Sequence, residues 1–295
     1  MTPAPGAPPS RADRTDRTRA FHALHHRDEP LLLPNAWDAA SAAALAAAGF
    51  AAIGTTSLGV AAALGEPDGQ GSALVRDATL ALARRLGSRL PCPYTVDVEG
   101  GFGGGPEEVA ELARELADAG AAGINLEDGV PGRAGDGPLV PAGQQAELIR
   151  AVKASAPGLY VNARIDTHWL VPDPAARPLD ETLARAETYL SAGADGVFVP
   201  GVADERAIAT LVAAVPAPLN ILYAPGRHRL ARLADLGVRR VSTGSLLFRS
   251  ALHAAVGLAE AVRTDGDAGG GDGRPGVDLA GVPGCGEVQR PAEQR

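Results

Sequence analysis

The chain has 295 residues, of which 35 are acidic and 27 are basic, and its formal net charge is -8. An acidic chain without a basic stripe and interleaved aromatic residues does not fit a nucleic-acid-binding protein. The two cysteines, Cys92 and Cys285, are too few for a disulfide framework or a zinc cluster, and no run approaches a membrane span of about 20 apolar residues. We therefore predict a cytoplasmic protein without nucleic-acid or membrane partners.

The two ends of the chain differ in composition from its middle. Residues 1–12 are rich in proline and are predicted to be disordered, and so is the polar, glycine-rich segment 264–295. The folded domain is therefore predicted to span residues 13–263.

A helix is predicted at the start of this domain, from Asp13 as its N-cap to His26. Phe21 and Leu24 are placed to pin this helix across one end of the domain. Its histidines are predicted to lie at the surface rather than to bind a metal. They are His22, His25 and His26.

From residue 31 onward, short apolar runs alternate with segments whose apolar residues recur every three or four positions. The runs predict parallel strands that are covered on both faces, and the periodic segments predict amphipathic helices. Residues 57–71, rich in small side chains, are predicted to form a loop. Eight strand–helix repeats over roughly 230 residues predict a closed (β/α)8 barrel. The predicted strands are 31–35, 51–56, 93–100, 122–129, 160–166, 195–201, 217–225 and 239–245.

The segment at 94–105, YTVDVEGGFGGG, is the first candidate for chemistry. In such a barrel the active site lies at the carboxyl ends of the strands. Asp97 and Glu99 share one face of this strand, and the glycines that follow allow backbone or ligand to come close. Two like charges at this spacing repel each other unless a cation or a proton lies between them. We therefore predict a metal site here.

The next strand ends in Glu127 and Asp128, which extends this acidic cluster. Oxygen ligands without nearby histidine or thiol favour Mg²⁺, or Mn²⁺, over zinc. Arg164, at the end of the following strand, is placed to hold a carboxylate or phosphate by two hydrogen bonds. A small anionic carboxylate substrate is therefore expected. Asn220, in the seventh strand, is a further candidate for binding it.

Structural roles are the alternatives to this site. Glu127 and Asp128 could form only a helix-capping or loop pair, and Asp128 points to the opposite strand face from Glu127. Arg164 could form a purely structural salt bridge with Asp166 or Glu127. The pair at 97 and 99 could only order its loop.

Other catalytic classes fit the sequence less well. The glycine run at 100–105 has neither the dinucleotide-binding spacing nor that of a P-loop. The only lysine, Lys153, lies in a predicted helix, which disfavours a Schiff-base mechanism. His168 lies near the predicted barrel mouth, where a loop role is favoured over that of a proton carrier.

Several ordered motifs resemble those of the isocitrate lyase/phosphoenolpyruvate mutase superfamily. The similarity runs from Leu31 to Ala261. It implies a (β/α)8 barrel that binds Mg²⁺ and a 2-oxo or 2-hydroxy carboxylate and stabilises an enolate-like oxyanion. It also implies a homo-oligomer, commonly a tetramer, with the last helix exchanged between subunits. The motifs are LPNAWDAASAAALAAAGFAAIGTTSLGVAAALGEPDG, YTVDVEGGFG, AGINLEDG, YVNARIDT, LDETLARAETYLSAGADGVFVPG and RRVSTGS.

The resemblance assigns roles to individual residues. Asp97 matches the direct metal ligand, and Glu99 and Glu127 match carboxylates that hold the metal's waters. Arg164 matches the arginine that grips the substrate. Asp68 matches an aspartate near the reacting group, on a loop at 64–72 that is expected to close over the substrate. The segment that matches the substrate-carboxylate site is Thr56, Ser57 and Leu58.

Two departures from the superfamily pattern bear on the reaction. The isocitrate and methylisocitrate lyases have a K-[KR]-C-G-H loop, where residues 130–141 here read VPGRAGDGPLVP without Cys, Lys or His. Those lyases also have a glutamate, and phosphoenolpyruvate mutase a histidine, where this chain has Pro200. The resemblance therefore indicates the mutase-like branch, but neither a true lyase of those two kinds nor phosphoenolpyruvate mutase itself.

The resulting prediction is a Mg²⁺-dependent lyase or hydrolase that cleaves a carbon–carbon bond of a small 2-oxo or 2-hydroxy dicarboxylate, such as oxaloacetate or an alkylmalate. A phosphorus–carbon mutase is the first alternative. A catalytically degenerate barrel that only binds a metabolite is the second. As a homo-oligomer, the protein is expected to be a tetramer or a dimer.

Overall fold

Nine short parallel strands form one sheet in the computed structural model, which describes residues 10–132, 137–170, 179–263 and 282–283. The sheet order is β1-β9-β8-β7-β6-β5-β4-β3-β2. Each strand is a mostly buried run without the alternation of a half-exposed sheet, as expected where helices cover the outside. The strands are β1 Leu31–Leu33, β2 Asn35–Ala36, β3 Ile53–Thr55, β4 Tyr94–Asp97, β5 Gly123–Glu127, β6 Tyr160–Arg164, β7 Gly196–Val199, β8 Leu219–Leu222 and β9 Arg240–Ser242.

The sheet closes on itself through its first strand, which is split at Pro34. Before the proline, β1 pairs with the last strand, β9, and after it β2 pairs with β3. Asn35 reinforces this junction, since its Oδ1 accepts from the amides of Thr243 and Gly244 and its Nδ2 donates to Thr55 O. If β1 and β2 count as one strand, the barrel has the eight strands that were predicted.

Ten helices surround or cap the barrel in the described part of the chain. The sequence-based prediction missed one of these helices. Residues 57–71 were predicted to form a loop, whereas residues 57–64 are helical. Gly65 ends this helix in the left-handed conformation, with φ of 75°. The helices are α1 Arg11–Leu24, α2 Ala39–Ala47, α3 Ser57–Leu64, α4 Ala73–Gly87, α5 Pro106–Ala119, α6 Ala142–Ser155, α7 Leu179–Ser191, α8 Glu205–Ala214, α9 Leu230–Asp235 and α10 Leu246–Arg263.

Helix α1 starts earlier than predicted. Ser10 is its N-cap and forms a capping box with Asp13, which was expected to be the cap itself. Phe21 and Leu24 pack across the amino ends of the strands, as predicted. His25 corrects the prediction of surface histidines, because it is buried and its ring stacks on Tyr160 with centroids 4.2 Å apart.

The main hydrophobic core lies between the strands and the helices outside them, and the smaller cluster lies under α1. Within the described residues, no helix combines the length and apolar character that a membrane span requires. The predicted disordered ends lie outside those residues, apart from Ser10 to Ala12 and the pair at 282–283.

Candidate active site at the carboxyl ends of the strands

Three adjacent strands bring the predicted polar residues to one end of the barrel. Asp97 is the last residue of β4, Glu127 of β5 and Arg164 of β6. The strand register pairs Glu127 directly with Arg164, while Asp97 pairs with Asn125 one strand away. The carboxylates and the guanidinium predicted from separate segments therefore face a common space.

Glu99 joins them from the turn that follows β4. Its backbone has φ of 50°, the left-handed region that costs a non-glycine residue energy, and its carbonyl accepts from the Glu127 amide at 2.9 Å. The side chain is 2% exposed. This strained turn directs a buried carboxylate into the barrel mouth instead of letting the strand continue.

Arg164 is held by two carboxylates and one aromatic ring. Its Nε donates to Asp166 Oδ1 at 2.7 Å, and Nη1 forms an ion pair with Glu127. Phe198 lies under the guanidinium, 5.9 Å from carbon Cζ to the ring centroid. Burial alone would lower the pKa of Arg164, but Asp166 and Glu127 raise it, so the group stays charged. The ion pairs of the structural alternative, to Asp166 and Glu127, therefore exist.

The amino end of α3 lies against Asp97. Ser57 donates to Asp97 Oδ2 from its hydroxyl at 3.2 Å, and Thr56 is the N-cap without a side-chain capping bond. The first turn of a helix has amide groups without intrahelical acceptors. Thr56, Ser57 and Leu58 lie beside the acidic cluster, where the resemblance placed the substrate carboxylate. The Thr56 amide donates to Ala36 O at 3.0 Å, and the Ser57 amide donates to Asp97 Oδ2 at 3.5 Å.

The loop between α3 and α4 lies against the same cluster. Its Gly71 amide donates to Glu99 Oε2 at 3.2 Å, and Gln70 Nε2 donates to Pro131 O at 3.2 Å. Asp68 is half-buried, and burial raises the pKa of its carboxyl group while a hydrogen bond from Ser57 opposes that shift. Asp68 therefore lies near Ser57 and Asp97, and its role near the reacting group stays a prediction from the resemblance.

The buried carboxylates carry oxygen atoms that the protein does not satisfy. Asp68 Oδ1, Asp97 Oδ1 and Glu99 Oε1 are buried and have no hydrogen-bond partner. Burial raises the pKa of Glu99 to about 7 and raises that of Glu127 well above its ordinary range, with Arg164 opposing the latter shift. Unsatisfied acceptors and disfavoured negative charge are what a cation at this position would relieve.

These residues fit Mg²⁺ or Mn²⁺ through their chemistry rather than as a complete set of direct ligands. All the nearby donors are oxygens, which hard divalent cations prefer. In the described part of the chain, no group of three or more Asp, Glu, His or Cys side chains is arranged to hold a metal directly. The arrangement in which Asp97 is the direct ligand and water separates Glu99 and Glu127 from the ion therefore stays a prediction from the resemblance.

Asp128 does not belong to the acidic cluster, which corrects the four-carboxylate grouping. Its buried carboxylate faces α7, where it accepts from Tyr189 Oη at 2.7 Å and from Arg185 Nη1 at 3.0 Å. Neither partner was predicted from the sequence. The spacing of Glu181, Arg185 and Tyr189 by four residues on one helix face was the available signal.

Three other candidates lie apart from the cluster or have structural contacts. Asn220 is buried in the barrel interior, and both its amide atoms engage Ser242 Oγ. His168 is buried in the short 3-10 turn Asp166–His168, where its carbonyl packs against Gly201. Lys153 pairs with Asp195 at 2.9 Å on the outside of the barrel, as expected for a structural lysine.

A cavity of about 420 Å³ lies at the opposite end of the barrel, between α1 and the ends of α5 and α6. It is far from Arg164 and the acidic cluster. The chemistry of the residues, rather than the presence of an open cavity, therefore identifies the candidate site.

Sequence comparisons relate the chain to named proteins. The phosphoenolpyruvate phosphomutase family model matches residues 21–263. An uncharacterized protein of Mycobacterium tuberculosis is 43% identical over 248 residues, covering 84% of this chain and 90% of that protein. The 2-methylisocitrate lyase of Bacillus subtilis is 32% identical over 204 residues, covering 68% of this chain and 64% of the lyase.

Solved structures share the whole fold. A candidate lyase/mutase from Burkholderia cenocepacia J2315 has a TM-score of 0.81 and 36% identity, covering 95% of this chain and 96% of that one. A candidate phosphonomutase from the same strain has a TM-score of 0.76 and 37% identity, covering 83% and 99%. A phosphonopyruvate hydrolase solved with oxalate and Mg²⁺ has a TM-score of 0.78 at 23% identity, covering 94% of each chain, which shows a common fold.

Proposed function

The chain belongs to the phosphoenolpyruvate phosphomutase family of the isocitrate lyase/phosphoenolpyruvate mutase superfamily, and on this premise we propose a Mg²⁺-dependent lyase or hydrolase. It cleaves a carbon–carbon bond of a small 2-oxo or 2-hydroxy dicarboxylate. The observation that carries this proposal is a charged Arg164 beside buried carboxylate oxygens, Asp97 Oδ1 and Glu99 Oε1, that have no protein partner. Such a site suits a substrate that bridges a cation and a guanidinium.

Asp97 would hold Mg²⁺, or Mn²⁺, directly, and Glu99 and Glu127 would hold its waters. Bound there, the ion supplies charge stabilisation for an enolate-like oxyanion. Support comes from the all-oxygen donor set and from the phosphonopyruvate hydrolase, which shares the fold and contains oxalate and Mg²⁺. The ligand roles of the three carboxylates are carried over from the superfamily resemblance.

The substrate's carboxylate would bind at the amino end of α3. The donors would be the Leu58 amide, the Thr56 hydroxyl and the Ser57 amide, the last by exchanging its contact with Asp97 for the ligand. The helix dipole favours an anion there. The Arg164 guanidinium would bind the remaining oxygen atoms of the substrate. Asn220 would also bind the substrate by exchanging its hydrogen bonds with Ser242 Oγ for hydrogen bonds with the ligand.

For a 2-hydroxy dicarboxylate, the reaction is a retro-aldol cleavage. The substrate hydroxyl loses its proton, a carbonyl forms at that carbon, and the electron pair of the breaking carbon–carbon bond passes to the neighbouring carbon as an enolate. Asp68, which lies beside Ser57, is placed to accept the hydroxyl proton. Arg164 neutralises negative charge as it develops, and the enolate carbon then takes a proton. A 2-oxo substrate would instead be attacked at its carbonyl by water.

The two departures in the sequence bear on which substrate is cleaved. Residues 130–141 lack the Cys, Lys and His of the lyase loop, and Pro200 replaces an ionisable residue. We therefore place the activity outside isocitrate and methylisocitrate cleavage, although the chain is similar to a 2-methylisocitrate lyase.

The test is to incubate the protein and Mg²⁺ with a panel of 2-oxo acids, 2-hydroxy acids and phosphonates. We expect pyruvate-like, glyoxylate-like or oxalate products from a dicarboxylate, and none from the Asp97→Ala variant. Conversion of phosphonopyruvate alone would favour a phosphorus–carbon enzyme, the candidate suggested by the phosphonomutase-like structure that is 37% identical. Oxalate binding without any turnover would indicate a metabolite-binding barrel.

We also propose that the protein assembles into a tetramer or dimer through α10. This helix exposes apolar side chains along its length, including Leu252, Val256 and Val262. Light scattering of the full chain should give an oligomer mass, and Leu252→Glu together with Val256→Glu should shift that mass towards the monomer. An unchanged mass in the double variant would contradict the role of this helix.

A further inference from the structure

The hydrogen bonds of Asp128 connect the outside of the barrel to the candidate active site. Its Oδ2 accepts from Tyr189 and Arg185 on α7, at 2.7 and 3.0 Å. Its Oδ1 accepts from the backbone amide of Asp166 at 2.9 Å. The carboxylate is fully buried, so these bonds are made without competition from solvent.

The same unit anchors the segment that returns from the altered loop at 130–141. Arg185 Nη1 donates to Val140 O at 2.9 Å, and the Val140 amide donates to Asp128 O at 2.9 Å. Tyr189 Oη lies 3.1 Å from Arg185 Nη1, which ties the two α7 side chains to each other. One buried unit therefore joins the ends of two strands, one helix and one loop.

Asp166 transmits this fixed geometry to the substrate-binding arginine. Its amide is held by Asp128, and its Oδ1 accepts from Arg164 Nε at 2.7 Å. Gly129 makes room for that carboxylate, since a Cβ there would lie 2.2 Å from Asp166 Oδ2. A shift of the Asp166 backbone would therefore move the carboxylate that orients Arg164.

We propose that Asp128, Arg185 and Tyr189 form a positioning unit that fixes Arg164 through Asp166. A guanidinium side chain has many rotamers, and holding it in place before the ligand arrives lowers the ordering cost of binding. None of the three touches the reacting atoms. This role rests on the proposed function, in which Arg164 grips the substrate.

The first test compares two buried tyrosines of similar environment. Tyr189→Phe removes a bond of the positioning unit, whereas Tyr94→Phe removes a hydroxyl between α4 and α5, which donates to Ala83 O at 2.9 Å and has no bond to α7 among the described residues. Titration calorimetry with oxalate in the presence of Mg²⁺ is the measurement. We expect oxalate to bind about 10-fold more weakly to Tyr189→Phe and within about twofold of wild type to Tyr94→Phe. A purely structural role would lower the melting temperature of both and leave both oxalate affinities unchanged.

The second test observes Arg164 without a ligand. The ¹⁵N–¹H signal of its Nε, assigned by its loss in Arg164→Lys, reports the bond to Asp166. We expect this proton to exchange with solvent about 10-fold faster in Tyr189→Phe, and also in Gly129→Ala, which displaces Asp166 while keeping the α7 bonds. If wild type does not bind oxalate, the proposed function fails, whereas this exchange rate still decides the positioning role. If the Arg164 Nε proton exchanges at the wild-type rate in both variants, the proposal is overturned.

Discussion

Both ends of this barrel bury ionisable groups and leave some polar atoms without hydrogen-bond partners, including Arg240 Nη1 at the amino end, but the buried charges differ in sign. At the carboxyl end, carboxylates keep oxygen atoms without protein partners, as at Asp97 and Glu99. At the amino end, Arg240 is fully buried without an ion pair among the described residues, and it bonds to the neutral oxygens of Asn125 and Ser242. Burial lowers the pKa of Arg240 to about 10.

The difference between the ends shows where a ligand is expected. Arg240 lies near the stacked rings of His25 and Tyr160 and the apolar cluster under α1. Together these side chains close the amino end of the barrel. The carboxyl end has a strained turn, a loop folded against it and unsatisfied oxygens. In barrels of this kind the carboxyl end carries function and the amino end carries stability. Substitutions at the two ends should therefore affect different measurements.

The largest expected effect is that of Asp97→Ala on metal binding. Loss of the direct oxygen ligand should weaken Mg²⁺ binding by more than about 100-fold, while the metal-free fold keeps its stability because a like charge is removed. Titration calorimetry with Mg²⁺ measures this. Asp118→Ala, which removes an exposed carboxylate at the other end, is the control and should bind as wild type. Undiminished affinity in Asp97→Ala would rule out the ligand assignment.

Arg164→Lys should weaken oxalate binding by about 10- to 100-fold, because an ammonium cannot reproduce the two-pronged contact of a guanidinium. Calorimetry with oxalate and Mg²⁺ gives the comparison. The matched control is Arg232→Lys, whose surface pair with Glu205 lies far from the cluster. Equal oxalate affinity in wild type and Arg164→Lys would show that this arginine is structural.

At the amino end, a buried histidine should instead make the stability of the fold depend on pH. Burial lowers the pKa of His25 to about 3, with the charge of Arg240 adding to the effect. The unfolded chain takes this proton near pH 6.5, so between the two values it binds more protons than the folded chain, and acidification destabilises the fold. The groups that face His25 are Arg240, Tyr160, His22 and His26.

From pH 6.5 to 5, this one histidine should reduce the free energy of unfolding by about 2 kcal/mol. Denaturant titrations of wild type and His25→Gln across that range isolate its contribution, because only wild type contains the group. A constant difference between the two proteins over the range would contradict a neutral buried His25.

The smallest effect concerns Tyr160 and Tyr94, two of the buried tyrosines. Tyr160 Oη is buried without a hydrogen-bond partner, whereas Tyr94 Oη lies 2.9 and 3.0 Å from the carbonyls of Ala83 and Ala119. Tyr160→Phe should therefore raise the free energy of unfolding by about 0.5–1 kcal/mol, and Tyr94→Phe should lower it by about 1 kcal/mol. Denaturant unfolding measures both. Changes of the same sign would show that hydroxyl pairing does not separate these positions.

Local patterns in the sequence predicted most of the architecture. The apolar runs and periodic segments placed all eight barrel strands, and carboxylates at strand ends pointed to the site. Helix α3 was missed because Gly59 and the small residues around it do not form a periodic apolar stripe. Tertiary packing explains the glycine instead. A Cβ at Gly59 would lie 2.6 Å from Trp37 Cβ, so the close approach of α3 to Trp37 requires a residue without a side chain.

The errors in placing individual side chains arose from tertiary contacts. Nothing local in the N-terminal helix distinguishes His25 from His22, and only the docking of α1 buries one of them. Likewise, the strand alternation correctly turned Asp128 away from Glu127, but its partner Arg185 lies 57 residues further along the chain. Which side chains meet at such distances is decided by packing rather than by spacing.

The pairing of β1 with the last strand determines when the barrel can close during synthesis. The first strand is synthesised early, yet β1 finds its neighbour only in Arg240, Val241 and Ser242. Until those residues leave the ribosome, Leu31 to Leu33 expose an apolar strand edge, the kind of surface that aggregates during synthesis. The ring therefore closes late in synthesis, and a nascent chain halted before residue 240 cannot complete it.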